Sequence, residues 1–588
     1  MEEFIAQQGG YLDIVQTPFS FPGSRILIYQ YPEDSRLFIK LAERLINIFP
    51  GLETYLTRDP FISDFQFFHN DGNPLEFRVT IKPHYIRLKS LAGYIQVAFE
   101  DKDTFHVSLP IDLSLRLKFK VHASRYEKLK TGGFAFAYRN LKYETNAEIL
   151  EHTLTQSNYV LEIEMLLLTN NDSSIRFCVY DTGPIEQALA PFSLVLESSE
   201  KTWNDWFSRI PEVDEIHREK YLYAWWVLAA NQISPKGNIT KQMAVPSKSG
   251  YIGVWLWDNA LHALAYRHVD PELARDQIRG MLVHQQEDGM LPDAVFDDGI
   301  VTEIGHPIPG KVTKPPVLAW AALKIHEIAP DEDFIREIYE PLVRWNHWWL
   351  PNWKKNPDAL ASYTHPYSSG MDDHPTWDGG MPVVSPDINT YLYLQMASLS
   401  EMAAIIGKND EAKEWESRSG RLLKAMIREL WDEEAGLFWA YHNGEPIKIK
   451  SIISLLPLWT ANLPPEMNQR LLGHMKNDCE FGGDYILPVV ARDDFEFSPD
   501  KMWRGPVWAN MNFFMIEALK KIGQHEFAGF LREKTLSLIM NSEGIFEYYN
   551  AVTGSPGHHA VPMFSWTAAI FIDLAIQAAK EEKNDHEK

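Results

Sequence analysis

At 588 residues, with 45% hydrophobic and 23% charged side chains, the chain has an ordinary globular balance and is too long for one core of common size. Its net charge of −24 repels nucleic acid and anionic membrane surfaces, and two cysteines far apart, Cys178 and Cys479, make neither a disulfide framework nor a thiolate metal site. The opening MEEFIAQQGG has no basic region followed by an apolar run and no stretch approaches a membrane span, so the default expectation is a soluble cytoplasmic protein.

The first two hundred residues read as strands. Ile111, Leu113, Leu115, Leu117, Phe119 and Val121 alternate with Asp112, Ser114, Arg116, Lys118, Lys120 and His122, the period of a strand with one face buried. Leu75–Ile81, Tyr94–Phe99 and Ile175–Tyr180 look similar, and NDGNP (70–74) and TNNDSS (169–174) punctuate them as turns. The expectation is an antiparallel β-sandwich over residues 1–200.

From about Trp203 the period becomes helical. Asp270-Pro271 sets a capping side chain before a proline at the first helical position, ahead of an apolar stripe at Leu273, Ala274, Ile278, Met281 and Leu282. Ser385-Pro386 repeats that device. About twelve helical segments, from roughly 214–232 to 564–580, fill residues 201–588 and predict six helical hairpins closed into an (α/α)6 barrel. An open solenoid would need a fixed period of about 30 to 45 residues, and none recurs. The closing KEEKNDHEK reads as a solvated tail.

Four stretches between helices are dense in Trp, Gly, Pro and carboxylates. In YIGVWLWDNALHAL (251–264), Trp257-Asp258 opens a helix, where Asp258 can cap its start. Gln285, Gln286 and DGMLPD (288–293) follow, a turn that would present Asp288 at a helix end. SSGMDDHPTWDGG (368–380) carries Asp372, Asp373, Trp377 and Asp378. WRGPVWANMN (503–512) flanks Arg504 with two Trp, as a surface cation–π stack or as a fork of donors aimed into a pocket. GIFEYYNAVTG (544–554) sets Glu547 among aromatics, where desolvation would raise a pKa. Each stretch alone has a plain reading as a solvated turn or an exposed side chain. Gathered at one end of a helical array, they supply two carboxylates, rings that stack on sugars, and Arg and Gln donors for hydroxyls. Glycoside hydrolysis needs that set. The 19 Trp fit it as well as they fit a large core.

In order along the chain, SGYIGVWLWDNALHALAYRHVDPELARDQIRGMLVHQQEDGMLPD (249–293), TKPP (313–316), SGMDDHPTWD (369–378), SPDIN (385–389), GGDYILPVVARDDFEF (482–497), WRGPVW (503–508), FEYYN (546–550) and FSWTA (564–568) resemble glycoside hydrolase family 63. The same motif order is similar, more distantly, to the trehalases of family 37. The resemblance covers about residues 200 to 580. It implies an inverting, exo-acting α-glycosidase with its site at the barrel mouth and no cofactor or metal. The implied substrate is a small-molecule carbohydrate, an α-linked glucoside or oligosaccharide. Asp372 matches the family's general acid and Glu547 its general base. Trp257 and Asp258 match the pair lining the sugar pocket. Gln286, Asp288, Lys314, Trp377, Asp378, Arg504, Trp508 and Trp566 match positions that line or shape it.

Two departures bear on the substrate. The family often reads SGMD-[DN]-SPRWD, and here His374 and Thr376 replace the Ser and Arg. If that Arg holds an anionic aglycone in some members, Thr376 argues against one here, so these two positions are where substrate choice is expected. Lys314 precedes Pro315-Pro316 where Gln is common in hydrolases of mannosylglycerate or glucosylglycerate. Other classes compete, among them an epimerase or a phosphorylase on the same barrel, the latter using phosphate in place of a base and leaving Glu547 without a function. A metal-dependent lyase or cyclase would use Asp372, Asp373 and Asp378 as Mg²⁺ ligands, but Pro375 forbids a regular helix through them. A non-catalytic carbohydrate-binding protein would have no need for both the acid and the base.

Overall fold

The structure, a computed structural model, describes residues 13–44, 57–91, 93–111, 113–181, 188–352 and 354–586; the opening MEEFIAQQGG and Asp112 lie outside these. The chain forms two compact units. One is Met1–Ile210 with Trp225–Ser234 and Ser247–Ile252; the other is Pro211–Ala224, Pro235–Pro246 and Gly253–Lys588.

The first unit is rich in antiparallel sheet. One sheet has six strands and another eight, and side chains from both meet in one apolar core. Strand Ser114–His122 lies between Ile62–His69 and Val160–Leu168, and its Leu115, Leu117, Phe119 and Val121 are all buried, as their alternation requires. Phe119 meets Phe177 of the other sheet edge-on at 5.5 Å. Burying each such side chain stabilises by roughly 1.5–3 kcal/mol. Two expectations need correction. The strand starts at Ser114, after a turn, so Ile111 stands 56% exposed. Helix Phe192–Phe207 starts before residue 200: Val195, Ser199, Trp203 and Trp206 form its buried stripe, and a serine in that row masked the helical period.

In the second unit, buried and one-faced helices alternate along the chain. Leu256–Tyr266 is buried at every residue, whereas the next helix, Pro271–Leu282, buries one side only. The same alternation relates Leu318–Ile328 to Glu332–Trp349, Pro386–Ile405 to Asn409–Leu430, and the turn-and-helix Ile452–Thr460 to Pro465–Lys476. Ala509–Lys521 and Ser565–His586 complete the buried set. Each buried element packs on the next, and Ser565–His586 packs on both Ala509–Lys521 and Leu256–Tyr266.

Asp270 caps its helix as expected, accepting from Leu273 N at 3.0 Å. Ser385 makes no capping bond; its hydroxyl donates to the Asp387 carboxylate instead. Asp258 is not a cap either, since the helix is entered at Trp255 and Asp258 sits within its first turn. The last helix runs on to His586, through most of the stretch that reads as a tail. Among the described residues no helix is long and apolar enough to cross a membrane.

The layout matters for chemistry. Trp257 and Asp258, Lys314, Trp508 and Trp566 all lie in the first turn of a buried helix or a few residues ahead of one. The loop with Asp372 leads into another.

Candidate active site

The loop SSGMDDHPTWDGG is closed at its base by an antiparallel pair, Ser362 with Val384 and Tyr363 with Val383. Two short 3-10 turns, Pro366–Ser369 and Pro375–Trp377, shape it, each opened by a proline and capped by a histidine. His365 Nδ1 accepts from Tyr367 N and His374 Nδ1 from Thr376 N, both at 3.2 Å. Gly370 has φ +73°, and a β-carbon there would stand 2.4 Å from the Trp257 ring, so glycine lets the loop lie against that indole. Trp377 is buried behind the loop and donates its indole N–H to Met371 O at 2.7 Å. Asp372 is the next residue.

Asp372 has one enclosed oxygen, Oδ1, 3.7 Å from Lys314 Nζ, while 33% of its side chain stays open. Lys314 is buried. Its ammonium contacts Asp293 Oδ1 at 2.9 Å and donates to Tyr367 O at 2.7 Å. Asp293 is brought there by a short sheet in which Trp255 pairs with Ala294 and Leu256 N donates to Asp293 O at 3.1 Å. That sheet sets Asp293 beside the turn of Trp257 and Asp258.

One buried ammonium therefore faces three carboxyl groups. Burial pulls the Lys314 ammonium down, but Asp293, Asp372 and Asp258 together carry it above its ordinary value. Burial raises Asp372 to about 6; Lys314 opposes this, while Asp293 and Asp373 add to it. Burial also pushes Asp258 far up, against Lys314 and with help from Glu547 and Asp293. Asp293 is raised for the same first reason. Several of these groups favour keeping a proton, so a raised pKa does not by itself single out a proton donor. Accessibility separates them: Asp258 and Asp293 are each 4% exposed, and of the three only Asp372 is partly open to solvent.

Glu547 is buried and held by main chain. Its N–H donates to Val561 O at 3.0 Å, and Val561 N donates back to Glu547 Oε2 at 3.3 Å. Tyr549 and Val507 exchange both backbone bonds, at 2.8 and 3.0 Å, which ties this segment to the start of helix Ala509–Lys521. Lys220 Nζ donates to Ser542 O at 2.5 Å and Gly544 O at 3.2 Å just upstream. Five rings connect Glu547 to the Asp258 turn. Trp503 and Trp508 stack at 3.6 Å and 7°, Trp508 lies 5.0 Å from Tyr548, and Trp566 sits edge-on to both Trp508 (5.6 Å) and Trp257 (5.3 Å). Such pairs are worth about 0.5–1.5 kcal/mol each beyond the area they bury.

Beside Asp372, Asp373 Oδ1 accepts from Trp503 N at 2.9 Å. Arg504 is clamped between Asp378 Oδ1 (2.5 Å) and Glu496 Oε2 (3.1 Å). Asp372, Asp373 and Asp378 thus turn to three different partners, and among the described residues no three His, Cys, Asp or Glu side chains group as metal ligands.

Residues 251–567 match the family model described as Mannosylglycerate hydrolase MGH1-like glycoside hydrolase domain. The chain belongs to glycoside hydrolase family 63. It is 29% identical over 401 residues to a mannosylglycerate hydrolase of Thermus thermophilus, covering 55% of this chain and 95% of that one. A glucosylglycerate hydrolase of Mycolicibacterium hassiacum is 23% identical over 437 residues, covering 58% and 95%. Among solved structures, a GH63 mannosylglycerate hydrolase from Thermus thermophilus in complex with glucose aligns at 25% identity and TM-score 0.52, covering 60% of this chain and 99% of that one. A bacterial glucoamylase complexed with acarbose aligns at 11% identity and TM-score 0.60 over 97% and 94%; this likeness concerns the fold alone and takes in the sheet-rich unit as well.

In this glycoside hydrolase the nominated residues fall into three groups. Trp257, Asp258, Lys314, Asp372, Glu547, Trp508 and Trp566 belong to the carboxylate and indole cluster just described. Trp377 braces the loop through its bond to Met371 O, and Asp378, with 54% of its side chain exposed, forms an ion pair with Arg504 near Asp373. Gln286 and Asp288 are engaged elsewhere. Gln286 Nε2 donates to His284 O at 2.9 Å, within its own turn, and Asp288, with 41% of its side chain exposed, pairs with Lys311 at 2.7 Å and Trp348 at 3.2 Å. The aspartate of DGMLPD that enters the cluster is Asp293. It precedes the apolar strand Ala294–Phe296, which carries it inward, whereas Asp288 precedes the turn glycine Gly289. His374 and Thr376 are both buried and serve the loop's own turn, so substrate choice is not exercised by direct contact from either. Sequence alone does not single out Asp293, Trp503 or Tyr548; the signal for the latter two is their adjacency to Arg504 and Glu547 within aromatic motifs.

Proposed function

We propose that this protein is an inverting, exo-acting α-glycosidase built on an (α/α)6 barrel, acting on a small α-linked glucoside or oligosaccharide. Asp372 is the general acid and Glu547 the general base. The observation that carries this reading is the contrast between Asp372, with one oxygen enclosed against Lys314 and 33% of its side chain open, and the enclosed carboxyls around the same buried ammonium. Asp372 gives its proton to the glycosidic oxygen as the bond from C1 breaks. Glu547 takes a proton from a water attacking C1 on the opposite face, and the anomeric centre inverts. That water needs room, so the two carboxyl groups are expected roughly 6.5–9.5 Å apart with substrate bound. Trp257 and Trp566, at the Asp258 turn, are the indoles that meet the glycon's C–H surface, Asp258 bonds its hydroxyls, and Trp508, stacked between Trp503 and Tyr548, backs them.

The relatives' names include both mannosyl and glucosyl substrates, so the glycon is tested with both. Proton NMR of the first sugar released from an α-glycoside should show the β-anomer. Release of the α-anomer overturns the inverting scheme.

A further inference from the structure

If the proposed acid and base are correct, the surroundings of Asp372 also select the leaving group. The acid must touch the glycosidic oxygen, so whatever departs does so past the groups flanking the acid. Those groups are acidic. Asp373 follows in sequence, and Asp378 and Glu496 stand on either side of Arg504. Two of the nearby cations are already engaged: Lys314 is buried against Asp293 and the Tyr367 carbonyl, and Arg504 is held by its two carboxylates. Lys501 stands exposed on the following turn and its charge reaches Asp373; with Lys314 set against Asp293, the groups around Arg504 are still three carboxylates (Asp373, Asp378, Glu496) to two cations (Arg504, Lys501). Position 376 adds no charge, since its side chain is a neutral threonine. Glu547, ionised as a base must be, adds a further negative charge to the same site.

We infer that the leaving group is an uncharged polyol or sugar and that a carboxylate-bearing one such as glycerate is disfavoured. A carboxylate entering here meets a flank whose carboxylates outnumber its cations. Hydroxyl groups instead find acceptors: Asp373 spends one oxygen on Trp503 N and has the other to receive an O–H. The named relatives that act on glycosylglycerates therefore differ from this chain in the charge their substrate carries.

The test is a comparison of kcat/KM for the full chain on α-glucosyl and α-mannosyl glycerol, the two matching glycerates, and a set of neutral α-linked disaccharides. The expected result is turnover of a neutral glycoside at least about tenfold faster than of any glycerate. Added salt should narrow the gap. Asp378→Asn releases Arg504 from one carboxylate and should lower the neutral-to-glycerate ratio severalfold, whereas a purely structural effect would lower both rates together. A wild-type preference for glycerate, or an unchanged ratio in Asp378→Asn, overturns the inference while leaving the hydrolase reading standing. No turnover of any α-glycoside overturns both.

Discussion

The loop bearing Asp372 and the segment bearing Glu547 are immobilised by different means. Side chains fix the first: two histidine caps, the Trp377 indole, a glycine fitted to Trp257, and the Lys314 ammonium beneath. Backbone bonds to Val507 and Val561 fix the second, with Lys220 gripping two carbonyls upstream. The difference has a physical reason. The acid's pKa depends on charges a few ångströms away, so its surroundings must be specified atom by atom. The base needs chiefly a fixed position, and a one-residue slip in its pairing would turn Glu547 to the other face.

The contrast can be broken at several levels. Asp372→Asn and Glu547→Gln should each reduce kcat by about 10²–10⁴-fold with little change in KM, because each removes one proton transfer. Steady-state kinetics checks this, and near-wild-type turnover in either variant would remove that residue from its role. Lys314→Met should cost about 3–5 kcal/mol by denaturant unfolding, since it strands a buried Asp293 without its counter-charge.

That variant also sharpens the acid side. Asp372 donates only while protonated, so kcat/KM should fall as pH rises through about 6. Lys314 lowers the pKa of Asp372, and its removal should move that descending limb to higher pH. A limb that stays put would show that another group titrates. On the base side, Lys220→Met leaves the Ser542 and Gly544 carbonyls short of a donor and should cost about 1–3 kcal/mol. It should lower kcat without shifting the descending limb. The smallest effect is expected at Asp288→Asn: an exposed pair with Lys311 is worth about 0–1 kcal/mol, and kcat/KM should stay within about twofold. A large loss there would return Asp288 to the site.

The helix starts and stops were largely legible, because proline, capping residues and apolar period act locally: Asp270-Pro271 opens its helix where the sequence places it. Helix Phe192–Phe207 was harder, since its buried stripe passes through Ser199. In the site, residue types were legible and directions were not. Asp288 and Asp293 stand in one motif, yet one faces solvent and the other Lys314, a choice made by the sheet that Ala294 joins. His374 and Thr376 looked like substrate contacts because they depart from a familiar pattern, but their burial follows from a 3-10 turn that no periodicity announces.

The stacked pair Trp503 and Trp508 has a practical consequence. Two indoles 3.6 Å apart and within 7° of parallel are close enough for their electronic transitions to couple. Because Trp503 N also bonds to the carboxylate next to the proposed acid, a shift of that loop would change the stacking. A change in tryptophan circular dichroism on adding an unlabelled ligand, absent in Trp503→Phe, would therefore report a shift of that loop.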